Sequence, residues 1–235
     1  MLDMKRFLLK LSGEALAGEK KTGFDEATVL EVAREVKELL EKGVQLSVVI
    51  GGGNFWRGRS SEKIDRTKAD QIGMLATVMN CLYVSEIMRS IGLSTVIMTP
   101  FQVGAFTELF SKDKAIEALN AGKVVFFAGG TGHPFFSTDT GAALRAIETE
   151  CDGILLAKTI DGVYSADPKI DDTAVRYPSL SIEEVVSKKL QVLDLSASVM
   201  CMEHHMPLYV FSLFEKGEIQ KAASGAGFNG TIVTA

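Results

Sequence analysis

Three short glycine-rich segments each follow a largely apolar run, and that repeated pairing constrains the fold of this chain more than any other feature. Arg6–Leu11 leads into Ser12-Gly13, Gln45–Ile50 into Gly51-Gly52-Gly53-Asn54, and Lys123–Ala128 into Gly129-Gly130-Thr131-Gly132. Apolar runs of this length read as strands of a parallel sheet covered on both faces. Helical periodicities separate them: Asp25 to Lys42, closed by Gly43; approximately Thr67 to Ile91, closed by Gly92; Ser111 to Gly122; and a helix from about Thr140. A further strand is expected at Thr95–Met98. Past Cys151 come a strand at Ile154–Ala157, a polar loop through Pro168, a capping box at Ser181-Ile-Glu-Glu184 and a helix near Asp194–His205. Strands at Leu208–Phe211 and Thr231–Thr234 complete the chain. This alternation predicts right-handed crossovers and a three-layer αβα sandwich around a central, mostly parallel sheet.

Open α/β sheets place ligands beyond the carboxyl ends of their strands, which is where these glycines fall. A glycine there lets the backbone approach a ligand and aim N–H groups at it, and a following helix N-terminus adds positive potential. Phosphate suits such a site best. The Walker pattern GxxxxGK[ST] is absent, and GxGxxG does not follow the first strand, so neither the P-loop nor the Rossmann dehydrogenase reading gains support. Lys10 interrupts the apolar run Phe7-Leu-Leu-Lys-Leu11, an expensive place for an ammonium without a partner at the strand end. Arg57 lies four residues past Gly53 and sets a forked guanidinium beside the second glycine loop. Together they provide two cations for a transferring phosphoryl group.

These residues resemble, from end to end, the bacterial UMP kinases of the amino-acid kinase superfamily. The matching segments are Lys10-Leu-Ser-Gly13-Glu-Ala-Leu16, Ile50 to Asn54 with Arg57-Gly58, Asp70 with Gly73 to Asn80, Thr131 to Asp139, and Asp161 to Pro168. The first two and the last are shared with acetylglutamate, aspartate and carbamate kinases; Gly73–Asn80 and Thr131–Thr138 are particular to the UMP enzymes. The resemblance implies the amino-acid kinase fold over 1–235, with a UMP-binding half to about residue 150 and an ATP-binding half beyond it. It implies that Lys10, Leu11, Ser12, Gly13, Gly53 and Arg57 contact ATP phosphates, with Thr159, Tyr164 and Asp167 also on the ATP side. Gly52 and the loop of Thr131, Gly132, His133, Pro134, Phe135, Phe136, Ser137 and Thr138 would hold UMP, with Asp70 on the ribose hydroxyls. Asp194 would orient Lys10. In Ala157-Lys158-Thr159 the order of Lys and Thr differs from some members, which leaves open which of the two faces ATP. The segment Gly18, Glu19, Lys20, Lys21, Thr22 and Gly23 aligns with a loop linked to GTP activation, although Lys20-Lys21 reads equally well as solvated charge. A homohexamer inhibited by UTP, with Mg²⁺ accompanying ATP, completes the implication.

The net charge of −5 argues against nucleic acid or an anionic membrane as the main partner, so a polyanionic substrate must be held by local donors. Cys81, Cys151 and Cys201 stand far apart without a CxxC pair, which predicts reduced thiols and no zinc site. No secretory segment is recognised at Met-Leu-Asp-Met-Lys-Arg, and the longest apolar runs fall short of the roughly 20 residues of a membrane span, so a cytoplasmic protein is expected. His204-His205 before Met206-Pro207 reads as a helix end, not a metal site, and no metal-ligating residue is predicted. A phosphate monoester is largely dianionic at neutral pH, its second pKa being about 6, so phosphoryl transfer to it needs positioning and charge compensation but no protein base. Two alternatives remain: a related kinase acting on a carboxylate or carbamate, and a nucleotide-binding regulator without turnover.

Overall fold

The computed structural model describes residues 6–56 and 63–234. Its strands and helices follow in the order β1 (Arg6–Leu11), α1 (Gly13–Ala17), α2 (Glu26–Glu41), β2 (Gln45–Ile50), α3 (Arg66–Ser90), β3 (Thr95–Thr99), β4 (Glu108–Leu109), α4 (Lys112–Asn120) and β5 (Val124–Phe127). Then come α5 (Thr138–Glu148), β6 (Gly153–Lys158), β7 (Val163–Tyr164), β8 (Arg176–Tyr177), β9 (Ser179–Ser181), α6 (Ile182–Ser187), α7 (Leu195–Glu203), β10 (Leu208–Ser212), α8 (Glu218–Ser224) and β11 (Gly230–Thr234). Among the described residues, nine strands form one sheet in the order β4-β3-β5-β2-β1-β6-β10-β11-β9, and β7 and β8 form a separate antiparallel ribbon. Within the sheet only the β10–β11 pairing is antiparallel. The expected mostly parallel αβα sandwich is therefore the fold.

Strand periodicity divides the core into two layers. Phe7, Leu9 and Leu11 of β1 pack on one face with α2, α3 and α8, whereas Leu8 packs on the other with residues of α4, α5, α6 and α7. The same alternation sends Leu155 and Ala157 of β6 to the first face and Ile154 and Leu156 to the second. Lys10 shares the parity of Leu8, and Lys158 that of Leu156. Both lysines thus lie near the carboxyl ends of neighbouring parallel strands on the α5 and α7 side of the sheet.

Local signals at the helix starts were followed closely. Asp25, Ser111 and Ser181 cap α2, α4 and α6 by accepting from Thr28 N, Lys114 N and Glu184 N, and Ser181 with Glu184 forms the expected capping box. Gly43, Gly92 and Gly122 lie just beyond α2, α3 and α4 with φ of 84°, 93° and 73°, a region that glycine enters without the Cβ penalty. No described helix is long and apolar enough to cross a membrane.

Candidate active site

The carboxyl ends of β1, β2, β5 and β6 open into a cleft of about 960 Å³. Its wall contains Lys10, Ser12, Gly13, Gly52, Gly53, Asp70, Thr131, His133, Phe136, Ser137, Thr138 and Asp194, so twelve of the residues singled out from sequence meet there. The two inner glycine loops are packed too closely for side chains. A Cβ on Gly13 would stand 2.3 Å from Gly51 O, and one on Gly52 3.0 Å from both Ala76 Cβ and Gly73 O. This is the close backbone approach for which glycine is required.

Lys10 Nζ pairs with Asp139 Oδ1 at 2.7 Å, both side chains being largely buried. Asp139 lies in the first turn of α5, where a carboxylate is also favoured by the helix dipole. Ser137 caps that helix, accepting from Asp139 N at 3.0 Å and Thr140 N at 3.3 Å. Its hydroxyl donates to Asp194. Asp194 in turn caps α7 through Ala197 N at 3.0 Å and accepts from Thr140 Oγ1 at 3.0 and 3.1 Å. One carboxylate therefore fastens the starts of both α5 and α7. Burial pushes the Asp194 carboxyl up, but the bonds from Ser137, Ala197 and Thr140 outweigh it and hold it below the ordinary value.

The expected orienting of Lys10 by Asp194 does not take the form of a direct pair. Both Asp194 oxygens are occupied by helix-start donors, and Lys10 meets Asp139 instead. From sequence the helix starts near Thr140, with Asp139 in the preceding loop. Its signal was an acidic residue two positions after a serine able to cap.

At the end of β6 it is Lys158, not Thr159, that lines the cleft. Lys158 lines the cleft, half-buried, and donates to the carbonyls of Gln191 at 3.3 Å and of Val192. Burial, reinforced by the charge of Lys10, pushes its ammonium down to about 8. Thr159, of opposite parity, is exposed and outside the cleft wall.

On the opposite wall, Asp70 of α3 is gripped by Arg66, whose Nε lies 3.0 and 2.9 Å from its two carboxylate oxygens. Asp70 also accepts from Phe135 N at 2.8 Å, and Arg66 lies over the Phe135 ring at 5.6 Å. Phe135 has φ of 72°, a left-handed conformation that a phenylalanine adopts only when its surroundings hold it. Farther down α3, Thr77 Oγ1 donates to Met74 O and accepts from Gly129 N at 2.8 Å, fixing the start of the loop after β5.

Other expected site residues lie elsewhere. Leu11 is fully buried and reaches the glycine loop through its backbone, its carbonyl accepting from Gly51 N. Gly132 packs beneath the loop, where a Cβ would meet Pro100 at 2.9 Å, and Pro134 is not part of the cleft wall. Tyr164 and Asp167 also lie outside it: Tyr164 donates to Asp161 at 2.7 Å, and Asp167 accepts from Lys169 N in a turn. In the Gly18–Gly23 segment, Glu19, Lys20, Lys21 and Thr22 are exposed, and Gly23 O accepts from Asn54 at 2.8 Å. Arg57 lies outside the described residues.

The model of the amino acid kinase family matches residues 5–212. The uridylate kinase of Bacteroides thetaiotaomicron is 45% identical over 235 residues, covering 99% of both chains. Among solved structures, a UMP kinase from Bacillus anthracis is similar with a TM-score of 0.94 at 36% identity, over 98% of this chain and 96% of that one. A UMP kinase from Ureaplasma parvum has a TM-score of 0.92 at 31% identity, over 99% of each chain.

Proposed function

The chain belongs to the amino acid kinase family, and we propose that within it the enzyme transfers the γ-phosphate of ATP to the phosphate of UMP, yielding ADP and UDP. The observation that carries this reading is the convergence of Lys10 and Lys158 on one face of the sheet, in a cleft edged by glycine loops. Two ammonium groups there compensate charge spread over the transferring phosphoryl oxygens, which is most of what such a transition state asks of a protein. Asp139 holds Lys10 at the strand end, and Asp194 holds the helix that presents Asp139. Lys158, whose proton is loosened by burial and by Lys10, is held charged by a bound phosphate. Arg57 would add a third cation.

UMP is placed against Gly52 and the Thr131–Thr138 loop, its ribose hydroxyls accepted by Asp70, which would exchange Phe135 N–H for them. No protein base is assigned, because the acceptor phosphate arrives ionised. ATP occupies the side of Lys10, Ser12, Gly13, Gly53 and Lys158, with Tyr164 and Asp167 toward its base and ribose. In this reading every UMP contact falls before about residue 150, whereas ATP joins Lys10, Ser12, Gly13 and Gly53 to Lys158 and the chain beyond it.

Mg²⁺ fits this donor set as an ion carried by the nucleotide. Asp139 and Asp194 are already engaged, and among the described residues no three His, Cys, Asp or Glu side chains gather as a metal cage. Bound with ATP, it would neutralise phosphate charge, with Glu14 and Asp139 within the cleft wall to take bonds from its waters.

A cytoplasmic homohexamer, activated by GTP and inhibited by UTP, belongs to the same reading. Supporting assembly, Ile72, Leu75, Met79 and Leu82 form an exposed apolar stripe along α3 at helical spacing. Light scattering gives the mass directly, and initial rates with each nucleotide give the sign of each effect. Coupled ADP release with UMP, CMP, a glutamate derivative and carbamate tests the reaction. Turnover confined to UMP is expected; turnover with carbamate or glutamate in its place, or with no acceptor, would overturn it.

A further inference from the structure

Two asparagines with no role so far form the most enclosed polar group near the cleft. Asn54 is 1% and Asn80 0% exposed. Their amides face each other, Asn54 Nδ2 donating to Asn80 Oδ1 at 3.0 Å and Asn80 Nδ2 to Asn54 Oδ1 at 2.8 Å. The second N–H of Asn54 goes to Gly23 O at 2.8 Å, and that of Asn80 to Gly51 O at 2.7 Å. All four amide N–H groups are used, and turning either amide over would set oxygen against oxygen, so the orientation of the pair is determined.

The consequence concerns the peptide joining Gly51 and Gly52. In a planar trans peptide the C=O and the following N–H point in opposite directions. Asn80 draws Gly51 O toward α3, and Gly13 closes in on the same oxygen, leaving no room for a Cβ. The Gly52 N–H is then turned away from Asn80. Flanking peptides are fixed as well: Gly51 N donates to Leu11 O, and Gly52 O accepts from Phe55 N and Trp56 N, each at 3.0 Å. Asn80 also continues a line on α3 that begins with Asp70, Gly73 and Thr77, of which Asp70 and Thr77 engage the loop after β5 and Gly73 the loop after β2.

We propose that Asn80 is a positioning residue which, through its locked pair with Asn54, orients the Gly51–Gly52 peptide so that the Gly52 N–H donates to the acceptor phosphate. This rests on the UMP kinase reading. An N–H to a charged phosphate is among the stronger hydrogen bonds, and preorganising it avoids a peptide rotation at each binding event.

The readout is the affinity for UMP relative to uridine, which differ by the phosphate alone. Asn80→Asp keeps the shape but replaces both donors with oxygen and repels Gly51 O. The UMP-to-uridine affinity ratio is expected to fall at least about tenfold, with uridine affinity and the circular dichroism spectrum near wild type. Equal weakening of both ligands, or an unchanged ratio, would overturn the proposal and leave the pair a packing element. Because a buried carboxylate could prevent folding, the unaltered protein supplies a second measurement by ¹H–¹⁵N correlation. The Gly52 amide proton should move downfield with UMP and stay in place with uridine; the same displacement with both would overturn the assignment. If wild type binds no UMP at all, the functional reading fails first, and is distinguished from failure of this inference alone.

Discussion

Replacing Lys158 with methionine should make the unliganded protein more stable at pH 7 and less stable at pH 10. Its ammonium is pushed from 10.5 down to about 8, so the unfolded chain binds the proton more tightly than the folded one. The penalty is full below pH 8 and disappears as pH rises from about 8 to about 10.5. It amounts to about 3 kcal/mol at pH 7 and about 1 kcal/mol at pH 10. Against this stands the loss of two hydrogen bonds, to the carbonyls of Gln191 and Val192, at about 1 kcal/mol each. Methionine keeps most of the packing volume. The balance favours the variant by about 1 kcal/mol at pH 7, a melting temperature about 2–4 °C higher, and disfavours it by a similar amount at pH 10. Scanning calorimetry on ligand-free protein at the two pH values measures both. Saturating ATP should reverse the order at pH 7, since bound phosphate favours the charged lysine only in wild type. A variant destabilised equally at both pH values would show that Lys158 is an ordinary solvated cation and refute the reasoning.

Lys10→Met should lower turnover about 10²–10³-fold with an unchanged circular dichroism spectrum, comparable to deleting one donor to a developing charge; near-normal turnover would remove Lys10 from the reaction. Asp70→Asn should erode the preference for UMP over dUMP, and an unaltered ratio would detach Asp70 from the ribose. CMP should be a poor acceptor, by as much as about 10⁴-fold if the loop after β5 hydrogen-bonds the uracil edge; comparable rates would leave only shape selection. With saturating ATP, kcat/KM for UMP should decline as pH falls through about 6, following protonation of the acceptor phosphate, and His133→Asn should retain that limb. Its disappearance together with a large rate loss would make His133 the base.

What could be read from the chain without its fold was what local physics decides. The bounds of β1 and β2 and the capping of α2, α4 and α6 follow from apolar runs and capping side chains a few residues apart. Elements without such signals were missed. The helix α8 has Gly217 at its N-cap with φ of 79° and no side-chain cap; its first amides are satisfied by Glu35 of α2, which accepts from Gly217 N at 2.8 Å and Ile219 N at 3.2 Å across more than 180 residues. The strands β4, β7, β8 and β9 have two or three residues, too few for a period to register.

The same division runs through the site. Glycine loops announce themselves because backbone approach is a property of the residue, and Lys10 because an ammonium in an apolar strand is conspicuous. Partners are another matter. Strand parity alone sends Lys10 and Lys158 to one face and Thr159 away from it, but which carboxylate waits there depends on where α5 begins, and that is set by Ser137 together with Asp194 from a distant helix. Asp139 was therefore hidden by an error of two residues in a helix boundary. Asn80 was hidden more deeply: on a helix an asparagine reads as neutral filler, and its significance arises only when Asn54, 26 residues away, meets it amide to amide in a fully enclosed space. A positioning function of that kind has no local signature, because it consists in the geometry of a peptide that belongs to another segment.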